Sequence, residues 1–103
     1  MRLPGKMYCV VISHRADELL KALPLSVQTE ANAELGCFCH RPRGEQLDFP
    51  LKNFKSFHKG KYRILWRMQN KEIEVVWIGL REDAPYDVSS RTEFLDKLDL
   101  NKN

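Results

Sequence analysis

The chain has no apolar run long enough to cross a bilayer, and its first residues, Met1-Arg2-Leu3-Pro4-Gly5-Lys6, lack the hydrophobic centre of a signal peptide. The expectation is a cytoplasmic protein with no membrane partner. Cysteine is scarce: three residues, an odd number, fit a reducing compartment better than a disulfide framework. Cys37-Phe38-Cys39-His40 carries thiolate and imidazole ligands, but a structural zinc site needs a second, separated pair and none is visible, so no metal and no cofactor are expected. Those four residues read instead as the end of a helix's apolar face and its exit. Acid is missing from one long stretch. From Lys52 to Arg67 stand Lys52, Lys55, Lys59, Lys61, Arg63 and Arg67, with His58 among them, and not one Asp or Glu.

An apolar fraction of 43 % beside 30 % charged residues is globular composition, and 103 residues build one compact domain around a single core. Residues 1–6 are expected to be a flexible lead and residues 7–103 the domain. A net charge of +3 says little when averaged over the surface. Its clustering says more, because a basic segment without acids is the footprint of a phosphate-binding surface. The competing reading is a strand edge that lysines defend against aggregation.

Tyr8-Cys9-Val10-Val11-Ile12 suits a buried strand, and Ser13 offers a helix N-cap with Asp17 and Glu18 in the first turn. Leu19, Leu20 and Leu23 supply an apolar stripe, Pro24 interrupts it, and Ser26 caps a second helix through about Leu35, with Gly36 as its stop. Pro42, Gly44 and Pro50 mark residues 40–53 as a loop. Three strands follow, at about 54–58, 61–69 and 72–80, joined by turns at Lys59-Gly60 and Asn70-Lys71 in an antiparallel meander. Asp83-Ala84-Pro85 ends the last strand. Phe94, Leu95 and Leu98 then line one side of a short amphipathic helix capped by Ser89 or Ser90.

The order predicts an α+β fold, β-α-α-β-β-β. Two N-terminal helices pack on one face of a four-stranded, mainly antiparallel sheet, with an optional short C-terminal helix, and the other face stays partly open. Strand parity places Lys61, Arg63 and Arg67 on one face of the long hairpin and Tyr62, Ile64, Trp66 and Met68 on the other. One face is built for packing and the other for an anion.

Leu20-Lys21-Ala22-Leu23-Pro24, Gly60-Lys61-Tyr62-Arg63-Ile64-Leu65-Trp66-Arg67 and Ile78-Gly79-Leu80-Arg81, with Tyr86 after them, resemble the RelE/ParE toxin superfamily of bacterial toxin–antitoxin systems, over most of the chain from about Tyr8 to Tyr86. RelE-like members are ribosome-dependent endoribonucleases that cut messenger RNA in the decoding site. ParE-like members share the fold and inhibit DNA gyrase, and fold alone does not separate them. The RelE-like branch is favoured: a toxin, an mRNA interferase that stops translation, with ribosome, messenger RNA and an acidic antitoxin as partners. The alternatives are a gyrase inhibitor and a non-toxic member that only binds antitoxin. Operator DNA is expected to be met only through the antitoxin complex.

The resemblance carries Arg63, Arg81 and Tyr86 onto the family's strand arginine, closing arginine and following tyrosine. Chemistry gives each a reason. RNA is cleaved when its own 2′-hydroxyl attacks the adjacent phosphorus, so a protein must orient that hydroxyl, hold the phosphorane charge and protonate the departing 5′-oxygen, with no obligatory metal. A guanidinium fork suits Arg63 to the phosphorane. Arg81 would neutralise the leaving side, directly or through water, and Tyr86 would carry an unstacked base on its ring. The family's lysines on the preceding strand are replaced by Phe54 and Ser56. His58 is the preferred substitute as general base, because imidazole titrates near neutrality. Lys55 is the reserve base, on the opposite parity from His58. Lys55, Lys59, Lys61 and Arg67 are the candidate RNA-binding cations. Arg63 has a structural competitor in an ion pair with Glu72 or Glu74 across the sheet.

Overall fold

The computed structural model describes residues 2–3, 8–47, 51–83, 94–95 and 98. Along the chain lie β1 (Arg2–Leu3), β2 (Cys9–Ile12), α1 (His14–Lys21), α2 (Leu25–Phe38), β3 (Glu45–Gln46), β4 (Lys55–Lys59), β5 (Tyr62–Gln69) and β6 (Glu72–Leu80), then one 3-10 turn over Arg81–Asp83. This is the expected β-α-α-β-β-β order with a two-residue strand added at each edge, so among the described residues the sheet has six strands rather than four, ordered β1-β2-β6-β5-β4-β3. β2 runs parallel to β6, as a crossover through two helices allows, and every other pairing is antiparallel. Arg2 and Leu3, expected within a flexible lead, pair with Val11 and Val10.

Ser13 caps α1 as expected: its hydroxyl accepts the Ala16 N–H at 3.1 Å, and Asp17 stands in the first turn. The second helix departs from expectation at both ends. Pro24, not Ser26, occupies the N-cap position, because its fixed φ of −53° feeds directly into the first turn and its missing N–H costs nothing there. At the other end Gly36 does not stop the helix, which continues to Phe38. A glycine terminates a helix by turning left-handed, and Gly36 has no need to: Phe38 and Cys39 beyond it are buried, so carrying on buries more apolar surface than stopping.

Both hairpins close through two residues. Gly60, at φ +59°, and Lys61 join β4 to β5, one residue later than expected. Asn70 and Lys71, both left-handed, join β5 to β6 in the primed geometry that matches strand twist.

The helices cover one face of the sheet. Val27, Ala31, Leu35 and Phe38 of α2, with Ala16 and Leu20 of α1, pack on Val10, Ile12, Tyr62, Ile64, Trp66, Ile73, Val75 and Ile78. Trp66 meets Phe38 edge-on at 5.8 Å, and its indole N–H donates to the Arg43 carbonyl at 2.9 Å, which pins the loop after α2. A second, smaller core lies on the opposite face, where Leu51, Phe54, Leu65, Val76 and Trp77 meet Leu98, with Phe94 and Leu95 beside them. A β-bulge makes it possible. The pairing passes from Leu65↔Trp77 to Trp66↔Val75, so Val76 is the extra residue and Val76 and Trp77 both face this second core. The expected caps Ser89 and Ser90 of the C-terminal helix lie outside the described residues; Phe94 and Leu95 are helical.

Candidate functional site

Three neighbouring strands bring one row of residues together on the face away from the helices. His58 of β4, Arg63 of β5 and Gly79 of β6 are direct partners across the sheet. Directly opposed residues project to the same side, so the His58 and Arg63 side chains are neighbours. His58 is exposed and Arg63 is half-buried. Ser56, two residues before His58 and therefore on its side of β4, accepts a hydrogen bond from Nη1 of Arg63 at 2.7 Å and is itself only 4 % exposed. Nε of Arg63 is buried and has no acceptor.

Among the described residues no carboxylate pairs with Arg63. Of the two acids that sequence offered it, Glu74 pairs instead with Arg67, its direct partner across β5 and β6, and Glu72 lies opposite Gln69 at the far end of the ladder. A cation held without a counter-charge in a half-buried position is poised for an anion.

The third member of the row makes room for a neighbouring ring. A Cβ at Gly79 would stand 2.5 Å from the Trp77 ring, so the indole lies over the glycine in the volume that any side chain there would need. Trp77 in turn meets Phe94 edge-on at 5.3 Å. Beyond the row the sheet ends in two more cations. The Arg81 N–H donates to the Lys61 carbonyl at 2.8 Å, which ties the exit of β6 to the β4–β5 turn. Lys61, expected on the Arg63 face, lies in the turn instead and lines with Arg81 a groove of about 750 Å³ against the start of α2, together with Pro24, Ser26, Val27, Leu80 and the acid Glu82.

The remaining candidates divide. Lys55 and Lys59 have the opposite parity from His58 and turn to the helix side: the Lys55 ammonium stands 5.3 Å from the Trp66 ring centroid, and Lys59 lines a pocket with Glu30, Glu34 and Tyr62. Arg67 shares the face of Arg63 but is held by Glu74 and lies over the Phe54 ring at 5.6 Å. Tyr86 lies outside the described residues. The site as built therefore joins His58 and Arg63 in one row, places Lys61 and Arg81 in a groove between the end of the sheet and α2, and sets Lys55 and Lys59 apart.

Ser56, Gly79 and Trp77 were not among the sequence candidates. Period-two parity would have put Ser56 beside His58, but its bond to Arg63 needs the register between strands, which sequence does not carry. On the helix side, burial first and the nearby Glu34 and Glu30 carboxylates second push the Tyr62 phenol up to about 12. Among the described residues no three His, Cys, Asp or Glu side chains gather as metal ligands, and no helix is long and apolar enough to cross a membrane.

No protein-family model matches the sequence, and no curated protein is similar to it by sequence. Solved structures are. A chain of the RelBE2 toxin–antitoxin complex of Mycobacterium tuberculosis superposes with a TM-score of 0.68 at 22 % identity, over 74 % of this chain and 100 % of that one. This chain has the RelE fold. The E. coli toxin RelE, in the free state of an arginine-to-alanine double variant, gives 0.63 at 15 % identity over 89 % of this chain and 98 % of its own. A conserved hypothetical protein of Helicobacter pylori gives 0.56 at 13 %, over 75 % and 97 %. The likeness to the RelE/ParE superfamily is thus one of architecture, and at these identities it transfers the fold and not the chemistry.

Proposed function

We propose that this chain is the toxin of a toxin–antitoxin pair and acts as a ribosome-dependent, metal-independent mRNA endonuclease. The observation that carries the reading is Arg63: an arginine with no carboxylate partner among the described residues, fixed beside His58 on the open side of a RelE-fold sheet. His58 takes the proton of the RNA 2′-hydroxyl, whose oxygen bonds to the adjacent phosphorus. Arg63 holds the phosphorane oxygens. The bond to the 5′-oxygen breaks, and that oxygen leaves with a proton from water at Arg81, the hydroxide so formed taking back the proton that His58 accepted. The products are a 2′,3′-cyclic phosphate and a free 5′-hydroxyl. Tyr86 carries an unstacked base of the codon.

The partner that silences the toxin is an antitoxin whose acidic, disordered segment folds over the cations at the end of the sheet. Their complex should weaken as salt rises, and salt-insensitive binding would point to an apolar interface instead.

One observation favours a second reading, ParE-like gyrase inhibition without bond cleavage. Neither Phe54, buried in the second core, nor Ser56, engaged by Arg63, supplies a base on β4 or just before it. The two readings part in one experiment, the mapping of RNA 5′ ends by primer extension in a reconstituted translation reaction, with naked RNA alongside. Cuts in the decoding site that require ribosomes and disappear in Arg63→Ala and Arg81→Ala support the endonuclease. Intact RNA with loss of supercoiling by purified gyrase supports the inhibitor, and harmless expression without a partner supports a member that only binds antitoxin.

A further inference from the structure

We propose that Ser56 is a positioning residue that aims the Arg63 guanidinium at a phosphodiester; only the identity of that anion rests on the endonuclease reading. Ser56 stands where the resemblance led us to expect a lysine, and what it does there is visible: its buried hydroxyl receives Nη1 of Arg63 at 2.7 Å. The bond fixes one corner of a planar group. With Nη1 committed and Nε buried, Nη2 is the donor left at the surface for an anion.

Among the described residues Arg63 has no carboxylate partner and its buried Nε has no acceptor, so the Ser56 hydroxyl is what holds the guanidinium in place. An arginine placed for stability alone resembles Arg67, four residues along the same strand, whose Nε donates to Glu74. Arg63 forgoes such a partner and keeps its bond to a neutral hydroxyl. A serine suits that task better than an acid, because it orients the cation without neutralising it. A phosphodiester offers an anionic non-bridging oxygen to the exposed Nη2, whereas a cation does not. Without the Ser56 acceptor the side chain regains its rotamers, and the advantage of a fixed guanidinium is lost.

The test uses the purified full chain and Ser56→Ala, Ser56→Cys, Ser56→Thr and Arg63→Ala, each first shown to be folded by circular dichroism. In nitrogen-15 NMR the wild-type Arg63 Nε–H should exchange slowly with water and its Nη protons should show hindered rotation. Ser56→Ala and Ser56→Cys should abolish both signatures, and Ser56→Thr should keep them. In single-turnover cleavage with ribosomes, Ser56→Ala should lower the rate by up to about a hundredfold with KM little changed, and Ser56→Thr should restore it. In the Arg63→Ala background the same change should cost nothing more. Unchanged NMR signatures in Ser56→Ala, or rate losses that add across the two positions, overturn the proposal. If wild-type protein cleaves no RNA, the endonuclease reading fails, and the NMR comparison alone then decides whether Ser56 fixes Arg63.

Discussion

The two faces of one sheet carry opposite kinds of residue at neighbouring positions. Toward the helices, Tyr62, Ile64 and Trp66 are all 2 % exposed or less and the core is mostly apolar, with Ser13 and Glu34 as its buried polar members. Away from them, Arg63, Leu65 and Arg67 alternate a cation with an apolar side chain, and the apolar core covers only part of the face. The strand period that makes β5 a good wall for the helices also delivers Arg63 to the other side. Stability and chemistry are separated by the direction of a side chain, not by distance along the chain.

Trp66 and Arg63 sharpen that contrast. Trp66→Ala removes the ring that packs on Phe38 and strands the Arg43 carbonyl, and should cost about 3–5 kcal/mol of unfolding free energy in urea. Any loss of growth arrest should then track the folded fraction. Arg63→Ala should change stability by about 1 kcal/mol or less, since it also removes an unsatisfied donor, while cleavage falls by about a hundred- to a thousandfold. If Arg63→Ala unfolds the protein, Arg63 belongs to the structural side and the contrast collapses.

Tyr62 tests the helix face by pH. Its phenol is raised to about 12 from an ordinary value of 10.0. Between those values the folded chain keeps a proton that the unfolded chain has lost, so this contribution is whole below pH 10 and declines as pH climbs toward 12. Two decades of pH correspond to about 3 kcal/mol. Thermal melts from pH 9 upward should fall more steeply for wild type than for Tyr62→Phe; parallel curves would mean that the phenol is not desolvated in the folded protein.

On the open face, Gly79→Ala should cost about 1–3 kcal/mol, because the new Cβ meets the Trp77 ring at 2.5 Å and the indole must move off Phe94. Urea unfolding of that variant at wild-type stability would show that Trp77 is loosely held. The covered part of this face would then be softer than its packing implies.

Much of the fold was legible because local rules and global burial agree. Ser13 caps where a cap was expected, Asn70 and Lys71 turn where a turn was expected, and Tyr62, Ile64 and Trp66 face the helices as parity predicted, although Met68, expected with them, is 40 % exposed. Sequence failed where a local signal lost to burial: Gly36 has the look of a helix stop, yet Phe38 and Cys39 draw the helix past it. It also failed where information is non-local. Nothing in Val75-Val76-Trp77 announces a bulge, and nothing along β4 reveals that Ser56 will meet Arg63, because both depend on how strands are registered. The basic run from Lys52 to Arg67 looked like one surface. Folding turned Lys55 and Lys59 toward the helix side and bound Arg67 to Glu74.

That division makes a final, smaller prediction about how single-stranded RNA approaches. Every phosphate neutralised by a lysine contributes about 0.7 to the slope of log K against log salt for a single strand. Lys61 shares with Arg81 a groove at the end of the sheet whose one acid is Glu82, so Lys61→Ala should lower the slope by up to that amount. Lys55 and Lys59 lie on the helix side, where Lys59 already has Glu30 and Glu34 beside it, so Lys55→Ala and Lys59→Ala should lower the slope by less. Fluorescence anisotropy of a labelled oligonucleotide from low to moderate salt measures all three. Equal losses at the three positions would mean that RNA wraps the outer strand edge and reads both faces, and the open face alone would no longer define the binding surface.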